Sequence, residues 1–108
     1  MAVTMLPDAD TFTVLVSFTV PAERRDELVQ TIRTFVQEEV RHRSGFVSST
    51  VHTSQDGTRV INYAQWESRE AFEAFQSDAD AMSRRGVITE FQRDARPYTI
   101  AFQATATA

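Results

Sequence analysis

With 108 residues, 42% apolar and 24% charged, the chain has the size and composition of a single soluble domain with one core, and wholesale disorder is excluded. It holds no cysteine and two histidines, which excludes disulfides, thiolate nucleophiles and a cysteine-built zinc site. The net charge is −4 and all eleven basic residues are arginine; an acidic total with scattered basic pairs argues against a nucleic-acid partner, and Schiff-base chemistry has no lysine to carry it.

Residues 1–10 contain Pro7 and no period, and read as a flexible arm. Phe12, Val14, Val16, Phe18 and Val20 alternate along a first strand. Pro21 stops it and suits a helix's first turn, where Glu23 complements the dipole. From Ala22 to about Arg43, Leu28, Ile32, Phe35, Val36 and Val40 recur at helical steps, and Ser44-Gly45 ends that helix through a left-handed cap. Two alternating runs then flank Asp56-Gly57, a strong signal for a tight hairpin. Ser68 caps a second helix with Ala71, Phe72 and Phe75 as its apolar stripe. Ser77-Asp78 breaks it, and a further helical stretch is predicted from Ala79 to about Arg93, with Met82, Val87, Ile88 and Phe91 inward. Pro97 opens a predicted last strand, Tyr98 to Ala104.

The resulting order, βαββαβ, predicts an α+β ferredoxin-like fold: an antiparallel sheet with helices on one side. A single domain spans 11–104, and 105–108 form a frayed tail. The uncovered sheet face would carry Leu15, Ser17, Tyr63, Gln65, Ala101 and Gln103. Its mixed character predicts a homodimer closed through that open face, the simplest symmetric solution. No apolar run is long enough to span a membrane, and the N-terminus has no leader-like apolar core; the expected setting is the cytoplasm.

The most informative stretch is Gly45–Phe75, and within it the run Val60–Trp66. The strand period puts Val60, Asn62, Ala64 and Trp66 on one face, so a carboxamide and an indole N–H join an otherwise aliphatic wall. Such groups either satisfy one another or orient a ligand. Trp66 reads equally as a core tryptophan, and Asn62 as a backbone tie. Arg84 and Arg85 read as solvated helix residues unless a pocket lies beside them. His42, between Arg41 and Arg43 at a helix end, reads as exposed and dipole-stabilising.

The order of elements, the segments GFVSSTVH and NYAQWES, the DG turn and the following EAF helix resemble the antibiotic biosynthesis monooxygenase family. More narrowly, they are similar to small cofactor-independent oxygenases that convert anthrone-type polyketide intermediates to quinones. The similarity runs from Phe12 to Phe102. It implies a dimeric α+β barrel with one pocket per subunit, a small aromatic substrate, and molecular oxygen as co-substrate with no flavin, haem or metal. It implies that Asn62 and Trp66 are pocket residues. Arg85 matches a pocket arginine if one residue is gapped, and Phe72 stands where the anthrone oxidisers have a tyrosine. Phe72, Phe75, Met82 and Phe18 would then supply a dry aromatic wall.

His52 is the sole candidate general base in this half of the chain. A two-residue turn at Asp56-Gly57 pairs His52 with Ile61, on the face opposite Asn62; a bulge would reverse that parity. Three other functions stay open at this level. Haem degradation on the same fold needs an axial histidine after the tryptophan strand, where this chain has none. A polyketide cyclase and a non-catalytic small-molecule binding or stress-associated protein are separated from an oxygenase by experiment rather than by fold.

Overall fold

In the computed structural model, which describes residues 11–107, the element order is β1 Phe12–Thr19, α1 Arg25–Glu38, β2 Phe46–Thr53, β3 Arg59–Trp66, α2 Arg69–Gln76, α3 Ala79–Met82 and β4 Gln92–Tyr98. Short 3-10 turns at Ala22–Arg24, Val40–His42 and Gly86–Glu90 link them. The strands form one antiparallel sheet in the order β2-β3-β1-β4, the ferredoxin-like arrangement. The proposed N-terminal arm lies outside the described residues. No helix among the described residues is long and apolar enough to cross a membrane.

The helices pack on one face because the alternation of β1 and β3 makes that face apolar. Phe18 and Val60 are buried there against Leu28 and Ile32 of α1. Leu28 is fully enclosed, a burial that stabilises by about 1.5–3 kcal/mol. A second cluster gathers Val40, Ala64, Trp66, Phe75 and Ala81 at the other end. Phe35 and Val36 of α1 touch both clusters.

The chain's turns follow local chemistry. Gly45, at φ +88°, lets the segment after α1 turn into β2, and its carbonyl accepts the Glu67 N–H at 2.7 Å. Ser68 caps α2 by accepting from the Ala71 N–H at 3.1 Å, and Asp78 caps α3 through the Ala81 N–H. Asp78 also pairs with Arg43 at 2.6 Å; the backbone donor and then the guanidinium hold its carboxyl below the usual range. In the hairpin, one Asp56 oxygen accepts from the Thr58 hydroxyl at 2.7 Å, the Ser54 hydroxyl at 2.7 Å and the Thr58 N–H at 3.0 Å. These donors, Thr58 foremost, pull the carboxyl down to about 2.

A depressed carboxylate pKa stabilises the folded state above its unfolded value, and that contribution disappears as pH falls through the folded value. Asp56→Asn keeps acceptors in the turn but cannot titrate. The variant is therefore expected to lose less stability than the wild type between about pH 4 and pH 2, as read by urea unfolding at each pH. Parallel acid limbs for the two proteins would refute this account of the turn.

Three expectations are corrected. The hairpin loop is four residues, Gln55–Thr58, closed by Ser54 N–H to the Arg59 carbonyl at 2.9 Å, yet the register is that of the tighter turn: His52 faces Ile61. The helix expected over 79–93 stops at Met82. From there the chain is held by i to i+3 bonds such as Arg84 to Ala81, Arg85 to Met82 and Ile88 to Arg85, and Gly86 adopts φ +60°, which a continuous helix does not accommodate. Ile88 and Phe91 still turn inward.

The last strand lies earlier than expected. Gln92–Tyr98 pairs with β1, although its composition, four charged or amide residues and a proline, is poor for a strand. Pairing with a ready-made neighbour overrides propensity, and Pro97 is tolerated because β4 is an edge. Tyr98 is the strand's final residue, and 99–107 carry no regular secondary structure. Ala101 and Gln103 therefore do not belong to the outer sheet face, and Phe102 is 84% exposed. On that face, Thr13 and Gln65 are buried rather than bare, with the Gln65 oxygen accepting from the Ser48 hydroxyl at 3.1 Å.

Candidate active site

The two core clusters do not merge, and the reason is legible on the inner face of β3. Between bulky Val60 and Trp66 stand Asn62 and Ala64, with Ser49 of β2 opposite Ala64. Small and polar groups leave space there, and a cavity of about 160 Å³ opens between sheet and helices. By the same measure one water molecule needs roughly 10–15 Å³, so the space takes an organic guest. Val14, Val16 and Phe18 of β1, Phe35 and Val36 of α1, and Phe72 and Phe75 of α2 give it apolar walls.

Polar groups enter at few points. Asn62 lies opposite Val16 on one side and Val51 on the other, so it shares their helix-facing side of the sheet, and it lines the cavity with Val16. The Ser49 hydroxyl donates to the Asn62 carbonyl oxygen at 2.5 Å. That bond fixes the carboxamide with its oxygen occupied and leaves the NH₂ donors to the cavity. Trp66 is 2% exposed and is gripped by rings: Phe46 and Phe72 edge-on at 5.4 and 5.7 Å, and Phe75 stacked at 5.4 Å. Among the described residues its indole N–H has no acceptor, and the fully buried, unpaired side-chain polar atom there is the Thr50 hydroxyl. The indole N–H is therefore not sealed in protein.

Arg85 follows α3 and is half-buried at the cavity. Its Nε donates to the Met82 carbonyl at 2.8 Å, which leaves both terminal nitrogens to other partners. The early end of the predicted third helix is what brings it there, because the i to i+3 turns aim its side chain back along the chain. Met82 also lines the space. Asn62, Trp66, Arg85, Phe18, Phe72, Phe75 and Met82 thus surround one cavity.

His52 does not join them. It is exposed, opposite Ile61, on the far side of the sheet. The sheet does contain a bulge, between Phe46 and Ser48, but it lies at the end of β2 remote from the hairpin and leaves the parity of His52 untouched. Its effect falls on Phe46, which is set opposite Trp66 while Val47 turns out and is 43% exposed.

Three polar residues of the cavity, Ser49, Gln76 and Arg93, are not among those the sequence pattern singles out. Ser49 is findable: once His52 faces Ile61, the same register puts Ser49 opposite Ala64. Arg93 is not, because the pattern places it at the end of a helix, whereas it sits on β4 opposite Phe18. No group of three or more His, Cys, Asp or Glu among the described residues is placed to hold a metal.

The profile of the family described as antibiotic biosynthesis monooxygenase matches residues 11–82. Tetracenomycin-F1 monooxygenase of Streptomyces glaucescens is 41% identical over 75 residues, 69% of this chain and 67% of that protein. The crystal structure of the monooxygenase ActVA-Orf6 of Streptomyces coelicolor, in complex with nanaomycin D, superimposes with a TM-score of 0.78 at 31% identity, covering 92% of this chain and 95% of that one. SnoaB of Streptomyces nogalater, described as a cofactor-independent oxygenase, gives a TM-score of 0.78 at 18% identity over 88% and 97% of the two chains; at that identity the likeness is one of fold.

Proposed function

Because the chain belongs to the antibiotic biosynthesis monooxygenase family, we propose that it is a monooxygenase that oxidises a phenolic, anthrone-type polyketide intermediate to a quinone with molecular oxygen and no cofactor. The observation that carries this reading is the aromatic-walled cavity with, among the described residues, an unpaired carboxamide NH₂ and an unpaired indole N–H on one wall. The relatives point the same way: one is named a tetracenomycin-F1 monooxygenase, and another was crystallised with nanaomycin D.

The chemistry asks little of the protein. Triplet oxygen reacts slowly with closed-shell molecules, but an electron-rich phenolate or its carbanion form gives up one electron to it. The substrate radical and superoxide combine at carbon, protonation gives a hydroperoxide, and loss of water leaves a carbonyl. One oxygen atom ends in the product and the other in water. Binding and ionisation are the protein's tasks. Asn62 and Trp66 donate to the oxygen on which negative charge grows, by the logic of an oxyanion hole. Arg85 lowers the pKa of the phenol, since a nearby cation favours the ionised form. Ser49 holds the Asn62 carboxamide in the donating orientation, and Phe18, Phe72, Phe75 and Met82 keep water out.

The general base is left to solvent or to the substrate itself, because His52 lies on the other face. We also propose that the protein works as a homodimer closed through the outer sheet face. Half-buried Leu15 and Tyr63 and exposed Ile61, at 37%, support this.

The test is oxygen uptake by purified, metal-stripped protein with anthrones and hydroxynaphthalenes, with sedimentation of the same preparation. One oxygen consumed per quinone formed, by a species of twice the chain mass, is the expected result. Equal conversion under nitrogen would establish a cyclase instead. Saturable binding with no turnover would establish a binding protein.

A further inference from the structure

We infer that Arg93 binds a carboxylate at the mouth of the cavity, so that the preferred substrate is an aromatic acid carrying an anionic group besides its phenolic oxygen. The inference rests on the proposed function and narrows its substrate class.

The charge balance around the cavity comes first. Its lining holds two arginines, Arg85 and Arg93, and no aspartate or glutamate. The acidic residues that flank the two arginines in sequence are already engaged: Glu90 pairs with Arg24, Asp94 with Arg96, and Asp80 with Arg84. Neither Arg85 nor Arg93 has an ion-pair partner among the described residues. Each is tethered by one nitrogen to a backbone carbonyl, Arg85 to Met82 at 2.8 Å and Arg93 to Ile88 at 3.4 Å. A guanidinium has five N–H donors, and most of them are unspent in both residues. Two uncompensated cations on one apolar hollow favour an anionic guest over a neutral one.

Position separates their roles. Arg85 is half-buried beside α3, whereas all seven residues of β4 are exposed. Register puts Arg93 opposite Phe18 and Ala95 opposite Val16, and Phe18, Val16, Arg93 and Ala95 all line the cavity. The side chain of Arg93 therefore stands on the rim, on the cavity side of an edge strand that no helix covers. Asp94, the next residue, is on the other face with Arg96. A guest with its phenolic oxygen at Asn62 presents its far end to this rim. There, a planar carboxylate matches the fork of a guanidinium in two parallel hydrogen bonds.

The single tryptophan of the chain, Trp66, lines the cavity and reports on occupancy through its fluorescence. Two probes suffice: 2-naphthol and 6-hydroxy-2-naphthoic acid, which differ by a carboxylate at the far end. The wild type is expected to bind the acid about five- to tenfold more tightly, the scale of a partly exposed charge-assisted pair. Arg93→Gln should abolish that preference while leaving 2-naphthol affinity within about twofold, and Arg93→Lys should keep part of it. Arg41→Gln, the same charge change at an exposed site away from the cavity, should leave the preference intact. If the acid binds no better than the naphthol, or if Arg93→Gln weakens both alike, the assignment of Arg93 is overturned and the proposed function stands. If neither probe alters Trp66 fluorescence, the aromatic cavity itself is not a binding site, and both readings fall.

Discussion

Replacing Asn62 with alanine is expected to lower kcat by about 10²-fold, the usual loss when one donor to a developing oxyanion is removed. Stability should change far less. The side chain is half-buried and its protein bond is to Ser49, so the loss is about 1 kcal/mol, a fall in Tm of roughly 4–8 °C for a domain of this size. Separating the two readouts is the purpose of the measurement. Ser49→Ala provides the companion test. It leaves both carboxamide donors in place but frees the group to rotate, so kcat should drop by up to about tenfold with KM little changed. Full activity in Asn62→Ala would remove this residue from the mechanism. A Ser49→Ala defect as deep as that of Asn62→Ala would mean that the hydroxyl acts on substrate directly.

Gly45→Ala should be the most destabilising of the chain's three possible glycine-to-alanine changes. The position has φ +88°, which costs an L-residue about 1–2 kcal/mol. A Cβ there would also fall well inside contact distance of the Ala71 Cβ on α2, and relieving such an overlap in packed surroundings costs about 1–3 kcal/mol. The combined expectation is about 2–5 kcal/mol, or a Tm lower by roughly 10–25 °C. The two contributions are separable. Ala71→Gly introduced beside Gly45→Ala should recover the steric part and leave the backbone part. Gly57 offers the comparison, since it has φ +76° but a Cβ there would meet the movable end of Arg25. If Gly45→Ala melts within a few degrees of the wild type, the close approach of α2 to this turn is not what holds it in place.

The outcome matters for function because Gly45 positions Phe46, and Phe46 is an edge-on neighbour of Trp66. The same short stretch holds the bulge that sets Phe46, rather than Val47, on the cavity side. The shape of the site is thus tied to a turn and a register slip about twenty residues before the tryptophan. A variant that folds but loosens this turn should show altered Trp66 fluorescence before any loss of secondary structure.

Much of this protein was decided by local pattern. Alternation in Phe12–Val20 and Val60–Trp66, the stripe of α1, and the caps at Ser68 and Asp78 all follow from side-chain period and short-range hydrogen bonding, forces that act between residues close in the chain. Those same periods were enough to put Asn62, Ala64 and Trp66 on one face and His52 on the other. Tertiary structure decided the rest. Gln92–Tyr98, with two arginines, an aspartate and a proline, becomes a strand because β1 offers an open edge to pair with, and only then does Arg93 come to stand opposite Phe18. Arg85 reaches the cavity because Gly86 and a run of 3-10 turns replace the last part of the expected helix. The hollow itself is a property of no single segment: it exists because two clusters, one anchored on Leu28 and one on Trp66, cannot close over the small and polar groups between them.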